Sequence, residues 1–142
     1  MSDPVPTPEA LVRRWFEELW NQGREETIDE LLAADAIVHG LPGGESARGP
    51  EGFKPIFRQF KGAFPDMRID IDKVVREGDS VACHCRVTGT HTGPGLGPAS
   101  NKPIRFTGIA IVRARDGQLV EGWNAFDFLG CFQQIGLLPA LG

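Results

Sequence analysis

The sequence predicts an α+β domain in which helices pack on one face of a curved antiparallel sheet. Three observations carry that reading. Apolar residues recur at helical spacing through the first half of the chain; from Met67 on, the period falls to two and β-branched residues become frequent. The order, helices first and strands afterwards, suits a sheet with its helices gathered on one side. A length of 142 residues fits a single domain over 1–142 with one core.

The first helix is "TPEALVRRWFEELWNQG". Thr7 is placed to cap it, Pro8 suits the first helical position, and Gly23 follows the last turn. Leu11, Val12, Trp15, Phe16, Leu19 and Trp20 form a wide apolar stripe. "EETIDELLAADAIVHG" reads as a shorter helix running into a brief strand at 36–39. "GLPGGESARGPEG" is a glycine-rich loop. Phe53, Ile56, Phe57, Phe60 and Phe64 then mark a third helix, with Pro55 expected in its first turn. "MRIDIDKVVREG", "SVACHCRVTGT", "IRFTGIAIVRA" and "QLVEGWNAFDF" read as four long strands, turned at Asp79 and at Asp116–Gly117. "GPGLGPASNKP" links the second and third of these, and "LGCFQQIG" reads as a short closing helix. A strand, not a helix, follows the glycines of "GPGLGP", which argues against a phosphate-binding loop.

Net charge −4 and a pI near 5.3 argue against a nucleic-acid partner, because phosphate binding needs a basic face. No apolar run reaches the roughly 18 residues of a membrane span, and "MSDPVPTPEA" has neither the basic nor the apolar part of a secretory leader. Three cysteines inside apolar segments suit free thiols in a reducing cytoplasm. Alternation turns His84 away from Cys83 and Cys85, so these three cannot converge on a metal.

If the Asp116–Gly117 turn alone sets the register, Arg115 faces Gln118, Val112 faces Glu121, Ala110 faces Trp123, Gly108 faces Ala125 and Phe106 faces Asp127. One face then holds small residues at its centre (Gly108, Ala110, Ala125), which leaves a cavity. The other carries Ile109, Ile111, Val120, Phe126 and Phe128 with no helix left to cover it, which predicts a homodimer through the outer face of the sheet. Asp127, flanked by two phenylalanines, is an acid/base candidate. An unpaired buried carboxylate is costly and raises its pKa, which suits proton transfer near neutrality. A carboxylate capping the closing helix is the structural alternative. Glu121 is expected in a salt bridge with Arg113, Arg115 or Lys73.

The element order, together with "GTHTGPGLG" (89–97), "DGQLVEGW" (116–123), the Trp123-to-Asp127 spacing and "QQIGLLP" (133–139), resembles the SnoaL-like polyketide cyclases, often called ester cyclases, of the nuclear-transport-factor-2-like superfamily. That resemblance covers nearly the whole chain and implies a cone-shaped α+β barrel. It also implies cofactorless intramolecular aldol chemistry on a polyketide ester, with Asp127 matching the family's acid/base aspartate. The family's histidine on the preceding strand has no counterpart in "IRFTGIAIVR".

On this reading, Asp127 and His91 are the candidate catalytic residues, His91 at the pocket mouth donating to a substrate oxygen. His39 and Trp123 border the pocket, Trp15, Phe57 and Phe60 supply its helical wall, and Phe106 lies beside Asp127. Neither metal nor organic cofactor is expected, and the expected partner is a small hydrophobic molecule. Two other functions fit the same residues. A water-adding enzyme of epoxide-hydrolase type needs a second carboxylate, for which Glu121 is nearest. A non-catalytic binding module needs Asp127 satisfied by fixed protein donors.

Overall fold

The computed structural model describes residues 4–140; both ends of the domain expected over 1–142 lie outside them. Helix α1 (Pro8–Arg14) begins as its sequence demands, with Thr7 Oγ1 accepting the Ala10 N–H at 3.1 Å and Pro8 in the first turn. It continues as a π-helical stretch, Trp15–Asn21, that keeps Trp15, Phe16, Leu19 and Trp20 all buried. Gly23, at φ 72°, ends it. Helix α2 (Glu26–Leu31) is shorter than expected, and strand β1 (Leu32–His39) takes over at once. Leu32 and Ala33 have no local reason to leave a helix. The cause is tertiary: Leu32 is buried and pairs with Leu119 on a parallel neighbour.

A two-residue strand, β2 (Ala47–Arg48), turns back antiparallel on β1 and leads into α3 (Gly49–Ala63). Because α3 begins at Gly49, Pro55 lies inside the helix and not in its first turn, at the cost of one backbone hydrogen bond. Phe53, Phe57 and Phe60 nevertheless bury one stripe of α3. The long strands follow: β3 (Arg68–Glu77), β4 (Ser80–Thr90), β5 (Pro103–Arg115) and β6 (Gln118–Phe126), then helix α4 (Phe128–Gln134). The six strands form one curved, unclosed sheet in the order β2-β1-β6-β5-β4-β3, antiparallel except where β1 runs beside β6. The helices sit in its concave side, so the architecture is a cone-shaped α+β fold. Asp116 and Gly117 both take positive φ, 52° and 78°, which suits the tight turn between β5 and β6.

The turn sets only the first pairs of that hairpin. Arg115 faces Gln118 and Ala114 faces Leu119, but the next pair is Arg113 with Glu121, leaving Val120 unpaired as a bulge. Every later side chain of β6 is therefore on the opposite face from the one the turn alone predicts. Trp123 (40% exposed) and Ala125 point outward, whereas Asn124 and Phe126 point inward. Phe126 and Phe128, expected on the outer face, pack inside against Phe106. Strand β5 behaves as expected, with Gly108 and Ala110 buried and Ile109 (48%) and Ile111 (42%) exposed.

Candidate active site

Between the concave face of the sheet and the helices lies a cavity of about 100 Å³. Its helical wall is Val12, Trp15, Phe16 and Trp20, then Phe53, Ile56 and Phe60 from α3. Its floor is Phe106, Ala110 and Val112 on β5 with Gly122, Asn124 and Phe126 on β6; Phe128 closes one end, and Leu41 and Pro42 of the glycine-rich loop join the rim. Aside from the tryptophan indoles, the polar side chains in that lining are Asn124 and Glu121. The wall is held by aromatic contacts: Trp15 on Phe53 at 5.2 Å and Trp20 on Phe57 at 5.2 Å. Lys61 fixes the end of the π-helical stretch by donating to the carbonyls of Trp20 (2.6 Å) and Met67 (3.1 Å). Burial among those groups pushes its pKa down.

Of the residues singled out from the sequence, Trp15, Phe60 and Phe106 line this cavity. Phe57 is buried one layer behind, against Trp20. Asp127 is exposed and is the N-cap of α4, its Oδ1 accepting the Gly130 N–H at 2.9 Å, so the buried environment expected for it is absent. Phe126 and Phe128 on either side line the cavity, which places Asp127 at the cavity's end with its carboxylate turned to solvent.

His91 is 1% exposed and lies apart from the lining. Its Nδ1 accepts the Ser100 N–H (3.1 Å) and meets the Ser100 hydroxyl (2.9 Å), its ring packs on Phe64, and its Nε2 has no partner. A backbone donor at Nδ1 leaves the ring proton on Nε2. His91 thus ties both ends of the 91–102 connection together, and backbone bonds from His91 N–H to Lys102 O and from Asn101 N–H to His91 O reinforce it.

His39 and Trp123 are register partners on the outer face, with stacked rings 5.7 Å apart. Glu121 bonds His39 Nε2 at 2.7 Å and approaches Arg113 at 3.5 Å; of its three expected cations, Arg113 is the one it meets. Cys83 and Cys85 are buried while His84 turns outward to Asp72 at 2.7 Å, and no cluster of metal-ligating side chains occurs among the described residues. All three thiols are free, and burial first pushes Cys131 up to about 12. No helix among the described residues is long and apolar enough to cross a membrane.

Sequence reasoning missed Asn124, Phe126 and Phe128 as lining residues because the bulge at Val120 inverts β6. It missed Leu41 and Pro42 because a loop carries no periodic signal. The "LP" pair set between glycines just beyond β1 is the one local cue that was present.

The curved sheet and the helices thus surround one apolar pocket that admits few polar groups, the form that small-molecule sites commonly take. The chain matches the SnoaL-like polyketide cyclase family over residues 10–135 and belongs to it. It is 29% identical over 131 residues to the aklanonic acid methyl ester cyclase DnrD of Streptomyces peucetius, covering 89% of this chain and 88% of that protein. Among solved structures it is similar to IdmH of Streptomyces antibioticus, a polyketide cyclase candidate: 32% identity, TM-score 0.79, 92% and 99% of the two chains. A SnoaL-like cyclase candidate from Jannaschia sp. CCS1 shares the fold with TM-score 0.82 at 23% identity, covering 98% of this chain and 100% of that one.

Proposed function

We propose that the chain is an acid/base enzyme of cyclase type, acting on a hydrophobic, carbonyl-rich small molecule such as a polyketide ester. The observation that carries this reading is the composition of the cavity in a chain that aligns with cyclases over most of its length. An apolar wall holds a flat ring system and strips water from a carbon acid, which strengthens any polar contact made there. Asn124 is the inward polar side chain of β6. Its Nδ2 donates to the His39 carbonyl at 3.0 Å, which fixes the amide in place to meet a developing enolate oxygen. Asp127, by the family pattern, removes a proton from carbon and returns one to the new alkoxide, so that one C–C bond forms and no redox change occurs. His91 acts in this scheme by holding the 91–102 connection closed.

The outer face supports association of two copies. Val75, Ala82 and Ile111 are successive register partners across three strands and form an apolar row with no covering element among the described residues. The test of the function is conversion of an aromatic β-keto methyl ester to a cyclised product. Saturable binding and turnover abolished in Asp127→Asn support it; a protein that neither binds nor converts such esters overturns it.

A further inference from the structure

Across β1, the loop that follows it and β6, one chain of hydrogen bonds links three groups with complementary chemistry, of which Glu121 also borders the cavity. We infer that Ser46, His39 and Glu121 form a nucleophilic site that accepts the acyl group of a small aryl ester. The distances are 2.9 Å from Ser46 Oγ to His39 Nδ1 and 2.7 Å from His39 Nε2 to Glu121 Oε2.

One tautomer satisfies both contacts. An ionised carboxylate only accepts, so His39 Nε2 carries the ring proton and Nδ1 is left bare to take the proton of the Ser46 hydroxyl. His39 and Arg113, in that order, hold the Glu121 carboxyl below its ordinary range, which keeps it ionised.

Position is fixed by sheet pairing. Ile37 faces Arg48 and Val38 faces Ala47, so the next residues along that ladder, His39 and Ser46, come together as the strands diverge. Gly40, at φ 77°, turns the chain where an added Cβ would strike the Asn124 carbonyl, and Asn124 Nδ2 in turn holds the His39 carbonyl. Trp123 stacks on the His39 ring and is 40% exposed, a surface that suits an aryl leaving group.

In the reaction, Ser46 Oγ bonds to the ester carbonyl carbon while its proton passes to His39 Nδ1 and the carbonyl π pair moves to oxygen. Collapse breaks the bond to the aryloxide, which leaves with the proton from His39. Water then attacks acyl-Ser46, giving a proton to His39; collapse breaks the acyl–Oγ bond, that proton passes from His39 to Ser46 Oγ, and the carboxylic acid is released. Glu121 steadies the imidazolium at each stage.

The experiment treats the full chain with a fluorophosphonate probe and with p-nitrophenyl acetate, reading intact mass, the modified peptide and the p-nitrophenolate burst. Expected is one adduct on Ser46 that is absent in Ser46→Ala. Labelling should be roughly a hundredfold slower in His39→Gln and roughly tenfold slower in Glu121→Gln, with unchanged circular dichroism. If His39→Gln does not fold, the Glu121→Gln rate decides. No adduct on Ser46, an adduct elsewhere only, or labelling as fast in the folded variants as in the parent overturns the proposal. Cavity binding of an apolar dye in Ser46→Ala should equal that of the parent, so this test does not depend on the cyclase reading.

Discussion

Glu121 lies opposite Arg113, one residue out of the register that the Asp116–Gly117 turn imposes two pairs earlier. A one-residue slip moves a strand's whole side-chain set to the other face. Here it brings Phe126 inside and puts Trp123 outside, in contact with His39. Gly108 shows what the inverted register requires. Phe126 is its partner, and the phenyl ring occupies the space that a Cβ on residue 108 would need.

Gly108→Val should therefore destabilise by about 1–3 kcal/mol, as overpacking of a filled site does. Urea unfolding measures it. A variant as stable as the parent would mean that the ring of Phe126 is not over Gly108.

The outer row predicts association. Ile111→Lys places a charge in it and should shift the protein from dimer to monomer by light scattering at micromolar concentration. A parent chain that is already monomeric there removes the dimer proposal.

How much of this was legible depends on how local each cause is. Thr7, Pro8 and Asp116–Gly117 act through their own backbone neighbours, so the start of α1 and the β5–β6 turn followed from sequence alone. The burial of Gly108 and Ala110 followed from alternation within one strand. The bulge did not, because "EGWNAF" buries an aromatic in either register, Trp123 in one and Phe126 in the other. The choice rests on distant partners: β1, whose His39 pairs with Trp123, and Gly108, which makes room for Phe126. Leu32 and Ala33 were misassigned to a helix for the same kind of reason. At Asp127 the sequence admitted two environments, and the Gly130 N–H, a short-range capping partner, is the one the fold supplies.

Ala110→Phe tests the cavity. Ala110 is buried in its floor, so a phenyl ring there fills a space of about 100 Å³. Binding of an apolar dye should fall at least tenfold with the circular dichroism spectrum preserved. Unchanged binding would put the dye site elsewhere.

Glu121→Gln tests the electrostatics of the β1–β6 seam. The Glu121 carboxyl is held below its ordinary value of 4.5, first by the hydrogen bond from His39 and then by Arg113. A depressed folded pKa means that the native state binds fewer protons than the unfolded chain. The parent's advantage over Glu121→Gln should thus be complete above about pH 5 and disappear as pH falls through the folded value. Melting temperatures of the two proteins from pH 7 down to 3 should converge; a gap that stays constant would show that the carboxylate gains nothing from its neighbours.

Asp127 has two jobs to separate, and two substitutions do it. Its Oδ1 caps α4 by accepting the Gly130 N–H, and an asparagine carbonyl oxygen can accept the same bond. Asp127→Asn should accordingly keep most of the stability, while Asp127→Ala leaves the N–H without its side-chain acceptor and should cost about 1 kcal/mol. Catalysis sorts the variants differently. Neither an amide nor a methyl group takes a proton from carbon, so if Asp127 is the base, turnover falls in both by roughly a hundredfold or more. An Asp127→Asn protein that retains full turnover assigns the residue to capping alone and moves the search for the base to the other polar groups at the cavity, Asn124 and Glu121. Since an amide side chain is no base, that outcome leaves Glu121, and the turnover of Glu121→Gln then decides.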